Sequence, residues 1–309
     1  MKELWLEVAL QLDDDEVVEA VSEVLARFTP RPLAYEYTHL RADERNHLVD
    51  LGPVTVRAYI PLGSEDDAPA LQRRIQEALH YLRAIRPFPH ETYRILEPED
   101  WAEAWKQAYH PIPIGERLVV VPAWLENPYP DRVAVVLEPG MAFGTGMHPS
   151  TRLALRAAER YAAQSPRVLD IGTGSGILAI AALKLGAERA VGVDIEPLAI
   201  EVARENARRN QVADRLTLLP GSLDVLENAP FSEGHLVFAN ILAPILEDLF
   251  AQGLAEHVLP QGILVLSGIL AEQAPRVARA AREAGLEEVH RWQEGEWVAL
   301  VYRRPSKRS

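Results

Sequence analysis

The sequence predicts an α/β protein in which a small α+β domain precedes a doubly wound, mainly parallel sheet of seven strands. Three observations favour this class. From about residue 117 onward, short apolar runs alternate with amphipathic helical stretches, which implies parallel strands with helices on both faces. The first 96 residues follow a different order of elements. The length of 309 residues suits two domains.

The elements of the first domain follow from the spacing of apolar residues. Leu4, Leu6 and Val8 alternate as in a half-buried strand, and an acidic turn then precedes a helix with apolar residues from Val17 to Leu25. The other predicted elements are strands at residues 33–37, 54–60 and 92–96 and a helix around residues 71–82. The resulting order, βαββαβ, is the ferredoxin-like pattern, so we predict a ferredoxin-like domain at residues 1–96.

Residues 97–115 are predicted to link the two domains and to contain one short helix. Trp101 and Trp105 are four positions apart and therefore share a face of that helix. Such a pair favours a packing role over the binding of a substrate. The second domain is then expected at residues 116–309.

The second domain opens with two strands, after which strands and helices alternate up to a closing hairpin. Its predicted strands cover residues 118–121, 133–137, 168–171, 190–194, 216–219, 236–239 and 263–267, and its helices cover residues 176–185, 197–210, 243–257 and 271–284. A hairpin around Gly295 closes the chain. A closing hairpin is typical of the methyltransferase variant of the doubly wound, Rossmann-like fold.

Composition narrows the classes of function. The formal net charge of −13 opposes binding to nucleic acid and favours a basic partner, although acidity also serves solubility alone. The absence of cysteine excludes disulfides and thiolate metal sites and fits a cytoplasmic protein. No run approaches the roughly 20 apolar residues of a membrane span. No spacing of His, Asp and Glu suggests a metal, and we expect a monomer.

The most informative segment is a glycine-rich turn between an apolar strand and a helix. Its glycines at positions 172, 174 and 176 let the backbone approach a ligand closely. Asp194 ends the next strand. In nucleotide-binding folds, an acidic residue at this position accepts hydrogen bonds from ribose hydroxyls. The segment also satisfies the G-x-G-x-x-G/A pattern of dinucleotide sites. The acid that opens the turn, Asp170, and the alternate glycines favour S-adenosylmethionine over a nicotinamide cofactor.

Three further segments, residues 138–151, 177–187 and 238–243, extend this pattern. Together with the glycine turn they resemble the PrmA family, whose members methylate ribosomal protein eleven of the large subunit. The resemblance is strong from Glu97 to the C-terminus, whereas the first 96 residues match only in size and pattern. Met147 and Ser150 are minor departures from the family pattern.

The resemblance implies the cofactor, the substrate and the binding residues. S-adenosylmethionine would lie against Thr151, Gly172, Asp194 and Asn240, and S-adenosylhomocysteine would be the product. The N-terminal domain would recognise the ribosomal protein, and the linker would let the catalytic domain reach several amines. Those amines are lysine side chains and the N-terminal amino group, each taken to the trimethyl form.

Each of these residues also has a structural interpretation. Asp194 and Thr151 could cap helices, and Gly172 could serve a plain tight turn. Asn240 could be a turn residue at a strand end. Amine and amide methyltransferases often carry Asn-Pro-Pro-aromatic there, whereas this chain has Asn-Ile-Leu-Ala, so the Asn alone carries over. Its side-chain oxygen is the candidate group for orienting the acceptor amine.

Two residues of the 138–151 segment have open roles. Phe143 could cover the cofactor or act as an apolar plug of the loop. His148 could be a base or a positioned loop histidine. Methyl transfer to an amine needs no acid for the leaving group, and water can take the proton of the amine, so no dedicated base is required.

Two rival functions remain at this level. A methyltransferase of the same fold could act on RNA or on a small molecule, but RNA recognition favours a basic accessory domain. Residues 1–96 hold eleven Lys and Arg against seventeen Asp and Glu, a net charge of −6. A non-catalytic binding protein is the other rival, and the intact glycine turn with Asp194 argues against it.

Overall fold

The computed structural model describes residues 4–29, 33–37, 41–42, 48–50, 53–97, 110–138, 146 and 148–306. The chain divides into two compact units, Met1–His110 and Pro111–Ser309. Trp101 and Trp105, with most of the expected linker helix, lie outside the described residues. Among the described residues, no helix has both the length and the apolar character that a membrane crossing requires.

The N-terminal unit is a four-stranded antiparallel sheet with two helices. Its elements are β1 (Leu4–Leu12), α1 (Asp15–Ala26), β2 (Ala34–Tyr37), β3 (Arg41–Ala42), β4 (Leu48–Asp50), β5 (Val54–Leu62), α2 (Ala68–Ile85) and β6 (Thr92–Leu96). The sheet order β2-β5-β1-β6 confirms the ferredoxin-like prediction, and β3 and β4 form a small additional ladder. Apolar residues of both helices, among them Val21 and Ile75, are fully buried against the sheet.

The second unit contains the large sheet. Its elements are β7 (Ile112–Ile114), β8 (Leu118–Pro122), β9 (Val133–Leu137), α3 (Pro149–Tyr161), β10 (Arg167–Ile171), α4 (Ile177–Lys184), β11 (Arg189–Asp194), α5 (Pro197–Arg209), β12 (Leu216–Pro220), β13 (Gly234–Asn240), α6 (Ala243–Ala251), β14 (Val258–Leu270), α7 (Ala274–Glu283), β15 (Glu287–Glu294) and β16 (Trp297–Arg303).

The large sheet has seven strands in the order β12-β11-β10-β13-β14-β16-β15. The first five strands in this order are parallel, and the closing hairpin adds two antiparallel strands. This arrangement confirms the predicted doubly wound, mainly parallel sheet. The chain runs outward from β10 to β12 and then returns to β13, so the direction of winding reverses between β10 and β13. Ligands of such folds bind at this reversal, outside the carboxyl ends of the strands.

The two strands predicted at residues 118–121 and 133–137 belong to a separate three-stranded sheet. Strand β8 pairs antiparallel with β7 and parallel with β9, and β7 lies within the range expected as linker. The outer edge of β9 forms hydrogen bonds with two asparagine side chains at the C-terminal end of α5. Asn210 accepts from the N–H of Val136 at 2.9 Å and donates to its carbonyl at 2.6 Å, while Asn206 accepts from the N–H of Glu138 at 3.3 Å.

One predicted helix is shorter in the structure. The segment expected at residues 243–257 forms α6 and then a short 3-10 turn at Leu254–His257. Gly253 separates them with a φ of 98°, a left-handed conformation that ends a helix. The following strand, β14, is correspondingly longer than expected at both ends.

Candidate active site

The glycine turn lies at the carboxyl ends of β10 and β11. The N–H groups of Gly172 and Thr173 both donate to the carbonyl of Val193 at 2.9 Å, which fastens the turn to β11. Gly172 has a φ of 71°, and a Cβ at this position would lie 2.8 Å from the side chain of Ile241. A residue other than glycine would therefore be strained and would also collide with the residue that follows β13.

The carboxylate of Asp170 holds the glycine turn in place through hydrogen bonds to the turn and to α4. Its Oδ2 accepts from Thr173 Oγ1 at 2.7 Å and from the N–H of Ala179 in α4 at 3.1 Å. Its Oδ1 is enclosed and has no hydrogen-bond partner among the described residues. Burial is the main cause that raises the pKa of Asp170 to about 6, and the negative charge of Asp194 adds to it. The carboxylate thus joins the strand, the turn and the helix.

Asp194 stands beside the same turn, at the end of β11. Its Oδ2 accepts from the N–H of Gly174 at 2.8 Å, and its Oδ1 accepts from the N–H of Glu196 at 3.0 Å. These bonds orient the carboxylate. An ionised carboxylate offers about four acceptor positions, so each oxygen retains capacity for a further donor. This geometry suits the two neighbouring hydroxyls of a ribose.

The structure brings Thr151 and Asn240 together from positions 89 residues apart in the chain. Asn240 ends β13, and its Nδ2 donates to Thr151 Oγ1 at 3.3 Å. Thr151 is fully buried in the first turn of α3. The Oδ1 atom of Asn240 is enclosed and has no partner in the described part of the chain. Because buried polar atoms are rarely left unpaired, this oxygen is a candidate acceptor for a ligand.

His148 caps α3. Its Nδ1 accepts from the N–H of Ser150 at 3.3 Å and lies 2.7 Å from Ser150 Oγ. Its ring packs edge to face on Trp297, with centroids 4.4 Å apart. Burial, helped by the nearby cation of Arg152, lowers the pKa of His148 to about 3. A histidine with this pKa is a weak proton acceptor, so the geometry favours the positioned loop histidine over the base. Phe143 lies outside the described residues.

Large exposed apolar side chains follow the carboxyl ends of β11 and β13, and sequence reasoning did not identify them. Ile195, directly after Asp194, is 73% exposed, and Leu242, shortly after Asn240, is 58% exposed. Leu198 and Ile245 follow one helical turn later and are also exposed. The signal that could have found them is the position of bulky aliphatic residues directly after strand ends, where they are not needed for the core.

The four residues expected to bind the cofactor therefore lie at the same end of the sheet, where the direction of winding reverses. Asp194 is hydrogen-bonded to the turn that contains Gly172, and Asn240 is hydrogen-bonded to Thr151. Ile241, which contacts Gly172, connects the two halves. Within the described residues, no group of His, Asp and Glu could hold a metal ion.

Comparison with known proteins shows the family of the chain. The family model described as ribosomal protein L11 methyltransferase (PrmA) matches residues 4–305. The chain belongs to the ribosomal protein L11 methyltransferase family. This membership makes it an S-adenosylmethionine-dependent protein methyltransferase, in agreement with the resemblance seen in the sequence, and decides against a nicotinamide enzyme and a non-catalytic protein.

The methyltransferase has relatives along nearly its whole length. It is 42% identical over 326 residues to the ribosomal protein L11 methyltransferase of Chloroflexus aurantiacus, an alignment that covers 97% of this chain and 98% of the relative. The corresponding protein of Herpetosiphon aurantiacus is 39% identical, with 97% and 99% covered. A solved structure of the ribosomal protein L11 methylase of Lactobacillus delbrueckii subsp. bulgaricus is 36% identical, with a TM-score of 0.58, and covers 64% of this chain and 100% of that one.

Proposed function

We propose that this methyltransferase transfers methyl groups from S-adenosylmethionine, bound in a crevice at the reversal of winding, to lysine side chains and the N-terminal amine of ribosomal protein L11. The observation that carries the proposal is the enclosed oxygen of Asn240, which has no partner among the described residues and lies at the same end of the sheet as the glycine turn and Asp194. An acceptor atom at this position suits a ligand that presents an N–H group.

The hydrogen bonds of the glycine turn are compatible with close approach of a ligand. The N–H groups of Gly172, Thr173, Gly174, Gly176 and Ala179 all donate within the protein. The turn is therefore held in place and presents backbone without side chains, which suits the sugar and the methionine portion of the methyl donor.

Each part of the donor has a complementary group in the crevice. Asp194 would accept hydrogen bonds from the ribose hydroxyls, and exposed Ile195 next to it would contact the adenine ring. Gly172, without a side chain, would leave room for the methionine portion beside Ile241. Thr151 and Asn240 would lie at the end where the methyl group meets the acceptor.

Methyl transfer requires the amine nitrogen in line with the bond between sulfur and the methyl carbon. Holding donor and acceptor in that geometry can by itself lower the barrier by about 7–11 kcal/mol. The amine must first lose a proton, because a free lysine has a pKa of about 10.4. Asn240 Oδ1 would accept a remaining N–H and so direct the lone pair towards the methyl group, while the proton leaves to water. His148 is not needed as a base in this scheme.

The substrate is a basic ribosomal protein, and the charge of the chain suits it. The net charge of −13 attracts a basic partner over a distance limited by ionic screening. We assign recognition of the substrate to the ferredoxin-like domain at residues 1–96, catalysis to the domain at residues 116–309, and the linking role to residues 97–115. Because the proposed substrate is a ribosomal protein, we propose that the enzyme acts in the cytoplasm, as a monomer and without direct binding of nucleic acid.

Mass spectrometry of purified ribosomal protein L11 after incubation with the enzyme and S-adenosylmethionine tests the proposal. We expect mass increments of whole methyl groups, located on lysines and on the N-terminal amine. The Asp194→Ala variant serves as the inactive control. A parallel incubation with ribosomal RNA and a labelled methyl donor separates the rival function, since label on RNA with an unchanged mass of L11 contradicts the proposal.

A further inference from the structure

The pairing of Thr151 with Asn240 points to a device that holds the Asn240 side chain in a fixed position towards the ligand. We propose that Thr151 is a positioning residue, that Ser267 holds it in place, and that together they keep the Asn240 oxygen where an N–H donor of the ligand would lie. This inference rests on the proposed function, because it assumes that the ligand enters the same crevice.

The two ends of an amide side chain have almost the same shape but opposite hydrogen-bonding character. Asn240 uses its Nδ2 on Thr151 Oγ1, which leaves Oδ1 enclosed and without a partner in the described part of the chain. Because a hydroxyl can donate as well as accept, the bond to Thr151 fixes where the amide lies, and the enclosed Oδ1 is then the atom that can accept from a ligand. An NH₂ group at that position could not accept an N–H, so this arrangement suits a ligand that presents one.

Ser267 connects the two segments that carry this pair. It lies opposite Asn240 in the ladder between β13 and β14 and is fully buried. Its Oγ donates to the carbonyl of Ser150, the residue before Thr151, at 2.8 Å. Its own carbonyl accepts from the N–H of Ile241, the residue after Asn240, at 3.0 Å. One serine thus fixes the position of α3 relative to the end of β13.

Two ligand groups could present the N–H: the amino group of the methionine portion or the acceptor amine of the protein substrate. Their shared chemistry is a primary amine or ammonium. Binding of S-adenosylhomocysteine by calorimetry reports on the first. The rate of methyl transfer to L11 at saturating S-adenosylmethionine reports on the second.

The decisive test compares Thr151→Val, which keeps the shape and removes the hydroxyl, with Thr151→Ser, which keeps the hydroxyl. We expect Thr151→Val to lower either the affinity for S-adenosylhomocysteine or the transfer rate by roughly tenfold, the effect of one hydrogen bond of about 1.4 kcal/mol. Thr151→Ser should retain most of the wild-type value. Equal values for both variants, whether impaired or unchanged, would overturn the proposal.

A double-mutant cycle separates positioning from direct contact of Thr151 with the ligand. In the Asn240→Ala background, Thr151→Val should have no further effect, because its role is exerted through Asn240. An undiminished effect in that background would show that Thr151 acts by itself. If the wild-type enzyme binds S-adenosylhomocysteine but leaves L11 unmodified, the substrate assignment fails. The role of Thr151 can then still be tested by the affinities of the variants for S-adenosylhomocysteine.

Ser267 has a matched control at the other end of α3. Ser165 is buried and donates its hydroxyl to the carbonyl of Tyr161 at 2.9 Å, far along the helix from Thr151. Ser267→Ala and Ser165→Ala each remove one buried hydroxyl bonded to a backbone carbonyl of the same helix. We expect only Ser267→Ala to lower affinity or transfer rate in the same way as Thr151→Val. Equal effects of the two variants would remove Ser267 from the device.

Discussion

The Oδ2 atom of Asp170 accepts a 2.7 Å hydrogen bond from the hydroxyl of Thr173, within a site where the carboxyl group is almost completely buried. The N–H of Ala179 is the second donor to the same oxygen, and Oδ1 has no partner among the described residues. A proton on Oδ1 would leave both bonds to Oδ2 intact. The glycine turn is therefore compatible with both charge states of the group that anchors it.

Stability should depend on pH through Asp170. Its folded-state pKa is raised from 3.8 to about 6, so between these values the folded state binds more protons than the unfolded state. Stability from this group is then greatest at low pH and falls as the pH rises through about 6. Asp170→Asn removes the titration and keeps an acceptor for Thr173. Urea unfolding at several pH values should show that this fall is absent in the variant.

The titration of His148 has the opposite sign. Its folded-state pKa is lowered from 6.5 to about 3, so the unfolded state binds more protons in this window and stability falls as the pH drops below 6.5. His148→Asn retains a side chain that can cap α3. We expect this variant to lose less stability than the wild type between pH 6.5 and 4 in the same unfolding measurement. If both proteins lost the same stability as the pH falls, His148 would not be the group responsible for this loss.

Asp194 should be required for binding of the cofactor. Asp194→Ala removes the expected ribose acceptor and also the bond from the N–H of Gly174. Loss of two charge-assisted hydrogen bonds should weaken the affinity for S-adenosylhomocysteine by about a hundredfold or more in calorimetry. Glu201→Ala, which removes an exposed acid from α5, is the matched control and should leave affinity unchanged.

Gly172 should be irreplaceable for two separable reasons. Gly172→Ala forces a left-handed conformation on an alanine and places its Cβ 2.8 Å from the Ile241 side chain. Gly285 has a similar φ of 81°, but nothing lies within 4 Å of a Cβ there, so Gly285→Ala measures the conformational cost alone. That cost is about 1–2 kcal/mol. Thermal unfolding should show a larger loss for Gly172→Ala, together with weaker binding of S-adenosylhomocysteine, whereas equal losses would mean that Ile241 moves aside freely.

Local patterns in the sequence predicted most elements close to their observed bounds. The alternation of apolar runs and amphipathic stretches reports directly on strands and helices, because each element buries one face or both. The glycine turn and Asp194 were also recognisable, since both are set by short-range backbone requirements. The separate sheet of β7, β8 and β9 was not predicted as such, because strands in two sheets have the same local periodicity. The edge strand β9 bonds to the side chains of Asn206, within α5, and of Asn210, directly after it, and nothing in their local sequence indicates this role.

By itself, the sequence determined the βαββαβ unit, the order of strands and helices along the second domain, and the identity of the residues at the strand ends. Only the tertiary structure decided that Asn240 meets Thr151, that Ser267 ties their segments together, and that Asp170 points inward while Asp194 remains beside the glycine turn. Local spacing specifies which face of an element is apolar. It does not specify which distant side chain completes a hydrogen bond, because that depends on strand register and on how the helices pack across the sheet.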